Sequence, residues 1–90
     1  MAEARYAEGF VEDVVEKVGQ AAKVAQIKAA CSLLADFPEM GSPLARASIR
    51  SAFGDSVRTL PASPFVIVYE YHRESDEVHV LGLMHGRQVR

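Results

Sequence analysis

Three side chains able to do chemistry close the chain: His85, Arg87 and Arg90 end the stretch VLGLMHGRQVR. An imidazole changes charge near neutral pH and can transfer protons. A guanidinium is a permanent fork of donors matched to phosphate or carboxylate. An apolar strand that runs out into such groups, and not into turn residues, offers a place for a phosphate, a carboxylate or a partner's acidic surface. Further arginines stand at Arg46, Arg50 and Arg58. Residues 41–90 carry five acids and six arginines but no lysine, whereas residues 1–40 carry seven acids and four bases and hold every lysine. A second half that uses only arginine suits bidentate contacts better than diffuse charge.

Bringing these groups together depends on strand geometry. If the last strand stays extended beyond Met84, alternation puts His85 and Arg87 on one face with Leu81 and Leu83. Arg58 joins them only if its own strand neighbours this one in suitable register; otherwise it pairs with Glu70 or Asp55. The net charge of −2 gives no support for strong general nucleic-acid binding, which rests on a cationic surface. His72 and His79 flank a turn without a third ligand at metal spacing, so no metal site is predicted. Cys31 is the single cysteine; it excludes an internal disulfide, reads as a small buried hydrophobe and suits the cytoplasm.

The elements that must position these residues follow from periodicity. Ninety residues suggest one domain, residues 1–90, with a modest core. A short first segment, residues 2–6, reads as a strand. Phe10, Val11, Val14, Val15 and Val18 recur at helical spacing opposite Glu12, Asp13, Glu16 and Lys17. Gly19 interrupts, and Val24, Ile27, Cys31, Leu34 and Phe37 restart the pattern as a second helix, ended by Pro38 and Gly41. Ser42 followed by Pro43 can start a short helix through Ala52, on which Arg46 and Arg50 share a face.

A strand is expected at residues 57–60, with Pro61 and Pro64 bracketing a turn. The β-branched and aromatic run 65–71 pairs antiparallel with a return at 77–84. The result is an α+β fold of order β-α-α-β-β-β, a helical hairpin packed on one face of a mostly antiparallel sheet. Phe65, Ile67, Tyr69 and Tyr71 point to one face, and Val66 and Val68 with Leu81 and Leu83 to the other. Both faces are therefore apolar, and the second needs a cover: the segment 40–55, a second copy of the chain, or a partner. The longest uncharged run, residues 59–69, is too short to span a bilayer, and no signal peptide is expected.

The stretches LLADFPEMGSP, FGDSVRTL and PFVIVYEYHRESDEVHVLGLMHGRQVR, in this order of elements, resemble the RelE/ParE family of bacterial toxins. The resemblance covers nearly the whole chain and lies in Leu33 with the Phe-Pro-Glu-x-Gly loop to Gly41, in Arg58 opening a strand, in the Val/Ile-x-Tyr strand at Val66 to Tyr71, and in the His85 to Arg87 ending. It implies one half of a type II toxin–antitoxin pair, held inactive by an antitoxin that covers the sheet.

RelE-like members cleave messenger RNA in the ribosome. That likeness implies His85 as proton carrier, Arg58 and Arg87 on the phosphate, and Glu39 as a base. ParE-like members bind DNA gyrase without a catalytic set. The acidic net charge and the absence of lysine from the second half favour the ParE-like reading, with Arg46, Arg50, Arg58, Arg87 and Arg90 as partner-binding residues. The alternatives are the RelE-like ribonuclease and an inactive homologue kept as a binding module. Neither a cofactor nor a membrane role is expected, and a homodimer remains open.

Overall fold

The computed structural model describes residues 2–43 and 45–86. The chain forms β1 (Glu3–Tyr6), α1 (Glu8–Lys17), α2 (Ala21–Asp36), α3 (Ala47–Phe53), β2 (Arg58–Ala62), β3 (Phe65–His72) and β4 (Glu77–His85). The sheet runs β1-β4-β3-β2. Its β2–β3 and β3–β4 pairs are antiparallel and its β1–β4 pair parallel. This is the expected α+β fold. No helix among the described residues is long and apolar enough to cross a membrane.

Alternation along β3 builds the larger core. Phe65, Ile67 and Tyr69 point to the face that α1 and α2 cover, where they meet Phe10, Val18, Ile27, Cys31 and Leu34. Gly19 lies between α1 and α2, as the break in periodicity required. The expectation failed at the end of α2: Phe37 is the C-cap residue and is 61% exposed, because the helix has already ended at Asp36 and its buried stripe stops at Leu34.

The second apolar face is covered by the chain itself. Ile49, Val57 and Val68 are buried there, with Ala45, Phe53, Leu81 and Met84 packed around them. The segment 40–55 was one of three expected covers, and it is the one found. Gly82 makes the approach possible, since a Cβ at that position would stand 2.5 Å from the Phe53 ring. The short helix starts later than the expected Ser42: α3 begins at Ala47 with Arg46 as its N-cap. Ser42 instead forms an antiparallel bridge with Thr59. Pro61, expected in a turn, lies inside β2. An edge strand tolerates proline because its outward side needs no donor.

Leu81 and Leu83 do not share a face. The β3–β4 register pairs Val68 with Gly82 but Tyr69 with Val80, so Leu81 is an extra residue. The resulting bulge inverts the alternation, sending Leu83 to the helical side and Leu81 to the α3 side. Beyond Tyr6, β4 has no strand on its β1 side. There Leu83 donates its N–H to Asp13 Oδ2 at 3.4 Å and accepts from Lys17 Nζ at 3.3 Å, so two α1 side chains satisfy part of that edge.

Past the reach of α3, the outer face turns polar. Glu70 and His72 on β3 stand opposite His79 and Glu77 on β4. The two imidazoles lie with centroids 4.2 Å apart and planes tilted by 37°. His72 lies 3.3 Å from Glu70, and His79 lies 3.3 Å from Glu77. Arg5 Nε donates to Glu77 at 2.6 Å. Contacts with His79 first, then with Arg5, hold the Glu77 carboxyl below its ordinary value near 4.5.

Two outcomes are expected. Ile49→Ala should cost roughly 2–5 kcal/mol in urea unfolding, as for a buried aliphatic truncated to a cavity. A carboxyl whose folded pKa is lowered stabilises above its unfolded pKa, and that contribution is lost as pH falls. Stability should therefore decline on acidification below about pH 4.5, less steeply in Glu77→Gln; identical acid profiles for the two proteins would contradict this role.

Candidate functional site

The connection from α2 to β2, residues 37–42, is held down by two neighbouring strand residues. Arg58 and Tyr69 are cross-strand partners, so their side chains leave the sheet on the same face. Tyr69 is wholly buried. Its hydroxyl donates to the Pro38 carbonyl at 2.9 Å and accepts from the Gly41 N–H at 3.0 Å. Arg58 Nη2 donates to the carbonyls of Glu39 and Gly41, each at 2.8 Å. Ser42 and Thr59 exchange backbone bonds of 2.8 and 2.9 Å. Gly41 is required by this crowding: a Cβ there would stand 2.7 Å from both the Thr59 carbonyl and the Tyr69 hydroxyl. The Phe-Pro-Glu-x-Gly stretch is thus a backbone latch.

The latch presents apolar side chains outward. Phe37 is 61% exposed, Leu33 45% and Met40 44%. Asp36, Phe37, Pro38, Glu39, Met40 and Tyr71 line a socket of about 470 Å³. Beside it lies a smaller notch of about 170 Å³, whose lining includes Glu39, Asp55, Ser56, Arg58, Tyr71 and Arg73. Glu39, expected as a base, is ion-paired with Arg73. Arg58 pairs with neither Glu70 nor Asp55; Glu70 accepts instead from Ser56 at 2.7 Å. Arg58 Nε has no hydrogen-bond partner among the described residues.

Arg58 and His85, the candidate catalytic residues among the described ones, do not meet. Arg58 stands opposite Tyr69 and His85 opposite Phe65. Four residues along β3 separate these positions by about 13 Å, with one group on each flanking strand. The His85 ring packs edge-on against Phe65 with centroids 5.6 Å apart. It therefore lies at the far end of the sheet from Arg58, on the face with Leu83 and away from Leu81. Arg87 and Arg90 lie outside the described residues. Arg46 and Arg50 are exposed at the start and within the last turn of α3, on the side of the sheet away from the latch.

A second surface lies between α1 and α2. A groove of about 420 Å³ is lined by Tyr6, Phe10, Val11, Val14, Val24 and Ile27, with Lys28, Cys31 and Ser32 on its wall. Tyr6 is 48% exposed and Val11 51%, and Val15 stands further out at 76%. Glu8, Glu12 and Glu16 are exposed along α1. Burial pushes the Cys31 thiol up to about 11, so it stays protonated and unreactive at neutral pH.

The Phe-Pro-Glu-x-Gly stretch and the arginine after it are visible in the sequence, but their partner is not. Tyr69 reads as one more aromatic in an apolar strand. Only the register shows that its hydroxyl reaches the loop. Two substitutions test the latch. Tyr69→Phe and Arg58→Ala should each lower stability by about 1–3 kcal/mol, because each leaves loop backbone groups unpaired. Hydrogen exchange at the Gly41 and Ser42 amides should accelerate in both; unchanged exchange would remove the latch from the account.

Compared with known proteins, residues 5–90 match the family described as ParE toxin of type II toxin-antitoxin system, parDE. No curated protein matches the chain.

Proposed function

This chain belongs to the ParE toxin family of type II toxin–antitoxin systems, and from that premise we propose that it arrests bacterial growth by binding DNA gyrase and is neutralised by a cognate antitoxin. The observation that carries the reading is the separation of Arg58 from His85. Ribonuclease chemistry of the RelE kind needs a proton carrier and a phosphate-binding cation converging on one scissile bond. Here Arg58 is committed to the Glu39 and Gly41 carbonyls, and His85 sits against Phe65 at the other end of the sheet. A protein-binding action needs no such convergence.

The antitoxin's seat in this reading is the groove between α1 and α2. It would take the apolar face of an antitoxin segment. The cytoplasm, where gyrase works, is the compartment the reading requires.

Induced expression should arrest growth and alter plasmid supercoiling while leaving RNA intact, and His85→Ala should arrest as wild type does. RNA cleavage abolished by His85→Ala would overturn the reading in favour of the nuclease. Absence of arrest would overturn it in favour of an inactive binding module.

A further inference from the structure

The latch spends six hydrogen bonds between loop, Tyr69, Arg58 and Thr59 on fixing a turn whose outward side chains are Phe37 and Met40. Fixing the backbone beneath two large exposed apolar side chains adds neither of them to the core. It is how a binding surface is preorganised, since anchors that are already ordered lose little conformational freedom on docking. Methionine and aromatic residues are enriched in such surfaces.

Two adjoining depressions define what would fit. The apolar socket by Phe37, Pro38 and Met40 and the polar notch by Asp55, Ser56 and Arg73 share Glu39 and Tyr71. Arg58 is occupied by the loop carbonyls and Arg73 by Glu39. Asp36 in the socket and Asp55 in the notch have no ion-pair partner among the described residues. With Arg58 and Arg73 set against Asp36, Glu39 and Asp55, the two depressions together keep one net negative charge. An apolar side chain with a lysine or arginine next to it complements both halves.

The antitoxin groove lies elsewhere on the same helix. The groove and the socket share no lining residue, so a segment seated between α1 and α2 need not contact Phe37 or Met40.

We propose that the socket and notch beside the latched turn are the surface that contacts the toxin's target, engaging an apolar side chain adjacent to a basic residue on that protein. This rests on the reading that the chain acts by binding a protein.

The test uses the purified full chain as wild type, as Phe37→Ser with Met40→Ser, and as Asp55→Lys, with affinity measured for purified gyrase subunits and for the antitoxin. All three positions are exposed, and retained antitoxin affinity reports an intact fold. The double variant should lose gyrase affinity by about tenfold or more, the loss of a hot-spot anchor. Asp55→Lys should lose severalfold, and both should hold the antitoxin within about twofold of wild type. Unchanged gyrase affinity overturns the surface while leaving the proposed function standing, and so does equal loss of antitoxin affinity. If wild type itself fails to bind gyrase, the functional reading falls, and growth arrest then decides the surface. Arrest that persists in the double variant overturns it, whereas arrest lost with antitoxin binding intact keeps it for another target.

Discussion

The Tyr69 hydroxyl, wedged between the Pro38 carbonyl and the Gly41 amide, is the contact on which the rest of the chain's second half is hung. A wholly buried phenol needs a partner for its polar end, and the turn after α2 supplies both a donor and an acceptor. Arg58 adds two charge-assisted bonds to the same backbone, and Gly41 gives the room. With the turn fixed, Ser42 meets Thr59, and Pro61 sits on the same strand. Pairing with Ser42 and a residue lacking an N–H together blunt the β2 edge against adding another strand. The chain then leaves toward the far face of the sheet, where α3 lies across Val68 and Gly82.

That route explains why a family commonly pictured as a helical hairpin on a sheet has a sheet apolar on both sides here. The hairpin takes one face, and a seven-residue helix takes the other. Ile49 anchors that helix, and Phe53 lies in the space left by Gly82. The β4 bulge is the other device. It shifts the alternation by one residue, so that the strand feeds Leu83 and His85 to the hairpin side and Leu81 to α3. A histidine that would have stood on the α3 face is thereby placed beside Phe65.

The same arrangement bears on action. His85 packs against Phe65 at one end of the sheet, and Arg58 holds the turn after α2 at the other. What the fold leaves outward are two apolar surfaces with no lining residue in common: the groove between α1 and α2, and the latched turn at the end of α2. Both have the character of protein-docking surfaces, and two partners need not compete for the same side chains.

Much of this was legible in the residues alone. Periodicity marked the two helices and the break at Gly19, and the β-branched run from Phe65 marked the central strand. The order of elements and the spaced motifs identified the family. These are local signals, set by how side chains repeat along an element. What the sequence could not determine were the quantities that depend on pairing. A bulge is one residue with no sequence mark, yet it decides which face Leu83 and His85 occupy. The partner of Arg58 depended on which strand residue stood opposite it, and that turned out to be Tyr69 and a loop backbone, not an acid. Phe37 matched the helical period but came to the surface, because periodicity records where a side chain points and not whether anything lies beneath it. Local repetition wrote the elements; register and burial, which join residues far apart in the chain, decided the site.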